Sequence, residues 1–369
     1  MSGEGGSQAF ALWCSGAGIV TWGDGKFGGD SSAVKDRVKG VLQVEATSAA
    51  FAAVLADGTV VTWGAPDCGG DSSTVQDQLN NVQTVVAADT AFAAILADGS
   101  VVTWGDPEDG GDSSRVQHQL NNVQQIRASA FAFAAILADD SVVTWGNPGF
   151  GGDSSEVQDE LTKVQQVQPA SAAFAAIRAD GSVVTWGCPT EGGDSFTVQD
   201  QLHNVQKVAA NESAFAAIVA DGSVVTWGLP DFGSDSSAVQ DQLKNVQQIA
   251  ASSQAFAAIL ADDSVVTWGD PGFGGDSSTV QHQLENVQQI SATHSAFAAI
   301  LADGTVVTWG GSTCGGNSSR VQHQLTNVQE VHGGREAFAA IRADGSVVTW
   351  GDANKGGDSS TVQDQFLRL

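Results

Sequence analysis

Apolar residues alternate with a period of two over short stretches of this chain. In the stretch AFAAILA at residues 91–97, even-numbered residues such as Phe92 fall on one side of a strand, and odd-numbered residues such as Ile95 fall on the other. Both sides are apolar. The next stretch, 100–104, is again apolar on both sides. The pattern predicts two antiparallel strands that are covered on both faces.

The polar residues between these stretches predict the turns. Asp98-Gly99 separates the two strands and favours a two-residue type I′ hairpin, in which both residues take a positive φ. After the second strand, Ser114 is followed three residues later by Gln117, the spacing of a capping box. We therefore expect a short helix of one or two turns there, followed by a third strand through 123–128.

The same sequence motif recurs at a spacing of 41 residues without insertion or deletion, and nine such units fill the 369 residues. A period of this length, kept from end to end, is typical of a repeat array or propeller that folds as a single domain, here residues 1–369. The predicted repeats are 1–41, 42–82, 83–123, 124–164, 165–205, 206–246, 247–287, 288–328 and 329–369.

A sheet that is apolar on both faces must lie between two neighbours, and its own copies are the plentiful neighbours. Contacts of this head-to-tail kind between like units make closed rings or open fibres. We therefore predict an all-β fold, a single β-propeller with a short helix between blades. Nine blades are preferred, and an eight-bladed or distorted ring is the alternative. Repeat 1 has MSGEGGSQ in place of its first strand, so one blade is expected to be incomplete.

The charge balance excludes some partners. The chain has 42 acidic and 15 basic side chains and a formal net charge of -27. Such a surface repels phosphate groups, so we expect neither nucleic acid nor membrane as a partner. We interpret the acidic excess as favouring solubility rather than as a dedicated surface for cations or basic proteins.

The four cysteines form no Cys-x-x-Cys pair and do not recur in every repeat. We therefore expect free thiols rather than a disulfide framework or a zinc site. The first residues lack a basic segment before an apolar one, and no window is apolar over the roughly 18 residues that span a bilayer. Together these features favour a soluble, cytoplasmic protein, and we separately expect a monomer.

The order V-x-x-I, then A-F-A-A-I-L, then D-G-x-V-x-x-W-G and a Gly-rich turn resembles the repeat of the regulator of chromosome condensation family. The resemblance covers all nine units. It implies a β-propeller, usually of seven blades, as in HECT-type ubiquitin ligases and the plant UV-B photoreceptor. This chain differs from the family in several ways: it has Ala255 where a His is expected, it lacks the photoreceptor's Gly-Trp-Arg-His-Thr motif, and its repeats are shorter.

The recurring aromatic residues are the first candidates for a ligand surface, but their places at the ends of apolar strands favour packing. Burial of one such side chain contributes on the order of 2 to 3 kcal/mol. We interpret the following residues as structural core: Trp22, Trp63, Trp104, Trp145, Trp186, Trp227, Trp268, Trp309, Trp350, Phe51, Phe92, Phe133, Phe174, Phe215, Phe256, Phe297 and Phe338.

The acidic residues of the Gly-Gly-Asp turn are the second candidates. A ring of carboxylates could hold cations, but capping of each local turn is the favoured interpretation. The residues are Asp30, Asp71, Asp112, Asp153, Asp194, Asp235, Asp276 and Asp358, with Asn317 in the eighth repeat.

Histidines and catalytic motifs give no further site. His118, His282 and His323 share one position, where other repeats have Asp or Lys, so we expect that position to be solvated. Gly-x-Ser-x-Gly, a phosphate loop and a Cys/His pairing are all missing from the sequence. We therefore predict no cofactor, no metal and no enzymatic activity.

The repeats differ from one another mainly in two segments, which are expected to be loops. One comes just before the Phe strand and the other follows Trp-Gly, as in APDC, DPED and NPGF. Loops of different sequence on a regular scaffold can recognise an asymmetric partner. The first hypothesis is therefore a non-enzymatic scaffold that binds a protein partner, of unknown identity. The alternatives are a multivalent binder of sugars or cations, and a recently amplified or engineered symmetric array without a specific ligand.

Overall fold

The structure, a computed structural model, describes residues 9–13 and 19–360. In these residues the chain forms antiparallel sheets that recur every 41 residues, joined by short turns. The fold is all-β and made of propeller-type blades, as the sequence predicts. The strands that build them have the following bounds.

The strands are β1 Ala9–Trp13, β2 Ile19–Gly23, β3 Val41–Ala46, β4 Ala50–Leu55, β5 Val60–Gly64, β6 Val82–Ala87, β7 Ala91–Leu96, β8 Val101–Gly105, β9 Val123–Ala128, β10 Ala132–Leu137, β11 Val142–Gly146, β12 Val164–Pro169, β13 Ala173–Arg178, β14 Val183–Gly187, β15 Val205–Ala210, β16 Ala214–Val219, β17 Val224–Gly228, β18 Val246–Ala251, β19 Ala255–Leu260, β20 Val265–Gly269, β21 Val287–Ala292, β22 Ala296–Leu301, β23 Val306–Gly310, β24 Val328–Gly333, β25 Ala337–Arg342 and β26 Val347–Gly351.

Short 3-10 turns follow the third strand of the blades. They are Gly25–Phe27, Pro66–Cys68, Gln76–Gln78, Pro148–Phe150, Pro189–Glu191, Phe196–Gln201, Pro230–Phe232, Pro271–Phe273, Gln281–Gln283, Ser312–Cys314, Gln322–Gln324 and Ala353–Lys355, with a wider turn at Pro107–Gly111. The short helix predicted between blades is thus a single 3-10 turn in some repeats and a series of hydrogen-bonded turns in others.

Each three-stranded sheet is a meander in which the strands follow one another in chain order. In the sheet of β6, β7 and β8, Phe92 lies opposite Ala87 on one side and Trp104 on the other. The third strand predicted at 123–128 is β9, the first strand of its sheet. Within the described residues, the sheet of β1 and β2 has two strands, at the position of the blade expected to be incomplete.

The hairpins between second and third strands differ from the predicted type I′ turn. The N–H of Gly99 donates to the Leu96 carbonyl, and Leu96 pairs with Ser100, so three residues form the connection. Gly99 has a φ of 78°, whereas Asp98 is not left-handed. This is a type I turn followed by one left-handed residue. Asp140 and Asp263, with φ of 63° and 62°, take that conformation in the two repeats that have Asp in place of this glycine.

The Ser-Gln segment also differs from its prediction, because no side-chain cap is present at the start of turns such as Gln76–Gln78. The serine before the expected cap, Ser113, is buried, and its Oγ lies 2.8 Å from Oε1 of Gln117 and 3.1 Å from Oγ1 of Thr103. The Gln117 amide donates to the Val101 carbonyl at 2.9 Å. These bonds fasten the segment to the third strand instead of capping a helix.

Sheets pack face to face on the next sheet in the chain. In one core cluster Ala91, Ala93 and Ile95 of β7 pack against Phe133 and Trp145 of the following sheet. Equivalent clusters recur at the other described junctions within each unit defined below. The face with the phenylalanine therefore contacts the preceding repeat, and the contact is head-to-tail as expected.

Contacts divide the chain into two compact units. The first comprises residues up to Asp180 together with Val184–Pro189, and the second comprises Gly181–Val183 and residues from Thr190. The first unit holds the sheets from β1 to β14 and the second holds those from β15 to β26. The single domain over 1–369, the blade number and closure of a ring stay predictions.

Candidate functional site

The recurring tryptophans lie inside the sheet packing. Each of the eight from Trp63 to Trp350 is buried and stacks on the phenylalanine of its own sheet, with ring centroids 5.1 to 5.3 Å apart; Trp22 is half-buried. The stacked pairs are Phe51–Trp63, Phe92–Trp104, Phe133–Trp145, Phe174–Trp186, Phe215–Trp227, Phe256–Trp268, Phe297–Trp309 and Phe338–Trp350.

A glycine of the preceding repeat completes each of these stacks. Nε1 of Trp145 donates to the Gly110 carbonyl at 3.1 Å, and the same bond recurs from Trp63 to Trp350. A Cβ on Gly110 would lie 2.6 Å from Cδ2 of Phe133. The first glycine of each Gly-Gly pair therefore lets one repeat approach the aromatic face of the next, and the indole edges already have partners.

The carboxylates of the Gly-Gly-Asp turns bond to their own main chain. Oδ1 of Asp71 accepts from the N–H of Ser73 at 2.9 Å, and these hydrogen bonds hold the pKa of that carboxyl below its usual value. The same bond forms at Asp30, Asp112, Asp153, Asp194, Asp235, Asn317, Asp276 and Asp358. These side chains therefore cap their own local turns, which is the interpretation favoured from the sequence.

The two segments in which repeats differ meet at one edge of each sheet, which we name the variable edge. Oγ of Ser129, before the Phe strand, donates to the Phe150 carbonyl, in the loop after Trp-Gly, at 2.9 Å. Thr47, Asn211, Ser252 and Thr293 make the equivalent bond. The first variable segment begins inside a strand, at Arg127 in β9, and so is only partly a loop.

Successive repeats are bridged along the variable edge by their main chains. The N–H of Ser253 donates to the His294 carbonyl at 3.0 Å, and the N–H of His294 donates to the Arg335 carbonyl at 2.8 Å. Glu212 donates to Ser253 in the same way, and Ser48 to Asp89 in the first unit. The backbone is regular, whereas the side chains at this one position change between neutral, acidic and basic.

One cluster on the variable edge was not found from the sequence, because its members lie a whole repeat apart. Oγ of Ser253 lies 2.7 Å from Nδ1 of His294, and Oε1 of Glu212 lies 3.6 Å from the same nitrogen. A catalytic serine–histidine–acid relay has the serine and the acid on opposite ring nitrogens. Here both contact Nδ1, which is not the arrangement of such a relay.

The remaining polar candidates lie apart from one another. His118, His282 and His323 are exposed, as predicted for a solvated position. No group of three or more His, Cys, Asp or Glu residues with metal-binding geometry occurs in residues 9–13 and 19–360. Cys68 and Cys314 carry free thiols, and burial raises the pKa of the Cys68 thiol; Cys14 lies outside the described residues.

One position at the end of the second strand is half-buried in several repeats. Leu96 occupies it in one repeat, and Arg178 and Arg342 in two others. Nε of Arg342 donates to the Thr326 carbonyl at 3.1 Å, and the guanidinium pairs with Asp344 at 3.4 Å.

No helix in the described part of the chain is long and apolar enough to cross a membrane.

Comparisons with known proteins return structural likenesses only. No protein family model matches the chain, and no curated protein matches it. Similar solved structures include Prp20p from Saccharomyces cerevisiae (15% identity, 80% of this chain and 88% of that chain, TM-score 0.44). The receptor kinase CR4 ectodomain from Physcomitrella patens is also similar (14% identity, 74% of each chain, TM-score 0.45). Likenesses this distant carry no argument about activity or partners.

Proposed function

We propose that this chain is a non-enzymatic scaffold for protein–protein interaction, and that its partner binds along the variable edge. The observation that carries the proposal is the meeting of both variable segments at this edge, joined by bonds such as Ser129 to Phe150. Recognition by differing loops on a constant framework is a common arrangement in binding proteins.

The chemistry of the edge supports a protein partner over a small repeated ligand. Along the second unit the edge presents Glu212, Ser253, His294 and Arg335 in successive repeats. A ligand bound identically in every repeat would need identical groups there. A cation ring is also disfavoured, because carboxylates such as Asp71 already accept hydrogen bonds from their own turns. We further infer a distant relation to the regulator of chromosome condensation family, from the D-G-x-V-x-x-W-G motif.

The proposal is tested with a variant that alters only the edge. Glu212→Ser, His294→Ser and Arg335→Ser together introduce the residue that Ser253 and Ser48 supply at the same position, so the main-chain bonds are retained. Proteins from the source cells that cross-link to the wild-type chain are identified by mass spectrometry. We expect the variant to lose these cross-links.

A matched control removes the same charges elsewhere in the second unit. His203→Asn, Lys244→Asn and Glu285→Asn change one histidine, one cation and one anion at an exposed position where Asn80 and Asn121 occur in other repeats. This control should keep every partner. Equal retention of partners by the edge variant and the wild type would disprove binding at the variable edge.

A further inference from the structure

A polar groove lies in the first unit. It has a volume of about 510 Å³ and is lined by residues of the first strands of four successive sheets, including Gln43, Thr84, Arg127 and Pro169. First strands of neighbouring sheets contact one another directly. Three of its lining residues, Glu45, Val86 and Arg127, are equivalent in the repeats but differ in chemistry.

On one side of this groove, a side-chain amide pairs with the main chain of a first strand. Nε2 of Gln43 donates to the Val85 carbonyl at 2.9 Å, and Oε1 of Gln43 accepts from the Val85 N–H at 3.2 Å. The side-chain amide of one repeat therefore occupies both main-chain groups of a residue in the next repeat. A peptide bond presents the same donor and acceptor.

Among the equivalent first-strand residues that the structure describes, only Val85 has this pairing, and it is missing at Ile126 in the same groove. Thr84 stands where repeat 2 has Gln43, and its hydroxyl donates to Oε1 of Gln43 at 3.0 Å instead. No side chain in residues 9–13 and 19–360 bonds to the Ile126 main chain. The Ile126 side chain is buried in the sheet packing, so its main chain is the part that lines the groove.

The next residue supplies a cation. Arg127 is exposed and lines the groove, and no carboxylate of the described residues lies within ion-pair distance of it. The chain is strongly acidic, at -27, yet this guanidinium is left without an acidic partner. Guanidinium groups bind carboxylates through two parallel hydrogen bonds.

We propose that this groove binds an extended peptide segment of a partner, with a peptide bond paired to the Ile126 main chain and an acidic side chain paired to Arg127. Adding a strand-like segment to exposed main chain is a known mode of peptide recognition. Arg127 begins a variable segment, but none of the positions altered in the edge variant above, Glu212, His294 and Arg335, lines this groove, so the two proposals can fail independently. Glu45 also lines the groove but lies beyond ion-pair distance of Arg127, and carboxylates farther away than about 8 Å are screened at physiological ionic strength.

The probe is a pool of acetylated, amidated hexapeptides with Asp fixed at the fourth place and mixed uncharged residues elsewhere. Its binding to the immobilised full chain is measured by surface plasmon resonance. We expect binding that weakens about tenfold when Asn replaces the Asp of the pool, and about tenfold in Arg127→Gln, since a charged hydrogen-bonded pair is lost. Gln168 occupies that position in the next repeat, so the variant should fold.

A matched control removes one cation outside the groove. Arg115→Thr gives an exposed position of the same unit the residue that Thr74 supplies in the preceding repeat, and it should bind the Asp pool as the wild type does. Absence of binding to the wild type, or equal binding by Arg127→Gln and the wild type, would overturn the proposal.

A second variant tests the main-chain pairing alone. Thr84→Gln gives this position the side chain that Gln43 uses to occupy Val85, so its amide should compete with the peptide for Ile126. Binding should fall at least about threefold with no change of charge. Lys207→Gln, the equivalent substitution in the second unit, should leave binding unchanged. An unaltered affinity of Thr84→Gln would contradict the pairing.

Discussion

At Gly110 the main chain of one repeat lies against the Phe133 ring of the next repeat. Gly110 has a φ of 98°, and a Cβ there would lie 2.6 Å from Cδ2 of Phe133. Gly110→Ala should therefore lower the free energy of unfolding by about 3 kcal/mol or more, since left-handed strain and a clash with a buried ring add. Urea denaturation followed by tryptophan fluorescence measures this.

Gly345 provides the control for that substitution. Its φ is 81°, but no heavy atom lies within 4 Å of a Cβ built there. Gly345→Ala should cost only the conformational strain, about 1 kcal/mol. Equal losses in the two variants would show that close approach to the aromatic ring is not what the glycine provides.

A second prediction at the scale of the residue concerns how the stability of the fold changes at acidic pH. Ser100 donates hydrogen bonds from its hydroxyl and N–H to Asp98, and they lower the pKa of that carboxyl. Because the folded pKa is below the unfolded value of about 3.9, the carboxylate stabilises the fold above that pH, and this contribution is lost as the pH falls through the folded pKa.

The loss is measured by comparing Asp98→Ala with the wild type between pH 7 and pH 2. Their difference in free energy of unfolding should be constant down to about pH 4 and shrink below it. The control is Asp77→Ala, because the exposed Asp77 carboxylate accepts no hydrogen bond from the described residues. A difference for Asp98→Ala that is unchanged at pH 2 would contradict the prediction.

At the scale of the element, the segment after Gly-Gly-Asp is held by a buried serine. Oγ of Ser113 contacts Gln117 and Thr103, whereas Ser114 is exposed. Ser113→Ala should cost about 1 to 2 kcal/mol, because the polar groups that remain lose a partner in a buried place. Ser114→Ala should cost less than about 0.5 kcal/mol. Chemical denaturation of the two variants measures both losses of stability. If the segment were held by a capping box instead, Ser114→Ala would cost more than Ser113→Ala.

The strands themselves were predictable from local pattern, and their turns only in part. Alternation around Phe92 predicts β7 and β8 because both faces are apolar. The predicted hairpin type was wrong. Asp98-Gly99 is compatible with a two-residue or a three-residue connection, and the pairing of Leu96 with Ser100 selects the three-residue one. The role of Ser113 depends on Thr103, a residue of the third strand that local spacing does not bring to it.

At the scale of the whole molecule, the nine-bladed ring stays a prediction from the period of 41 residues. A closed ring of nine turns about 40° per blade, and head-to-tail contacts of like units permit closure. Single-particle class averages should show a closed ring of nine blades, one of them incomplete. An open spiral or eight blades would contradict it, and analytical ultracentrifugation tests the expected monomer.

The sequence alone determined the repeat, the strands, the apolar faces and the glycine and aromatic positions, because these follow from local periodicity and the size of side chains. Only the tertiary structure decided which residues of different repeats meet. Glu212, Ser253 and His294 are each 41 residues apart, and the Gln43 amide pairs with the main chain of Val85, a residue of the next repeat. Such neighbours are set by stacking of sheets, which no local pattern records.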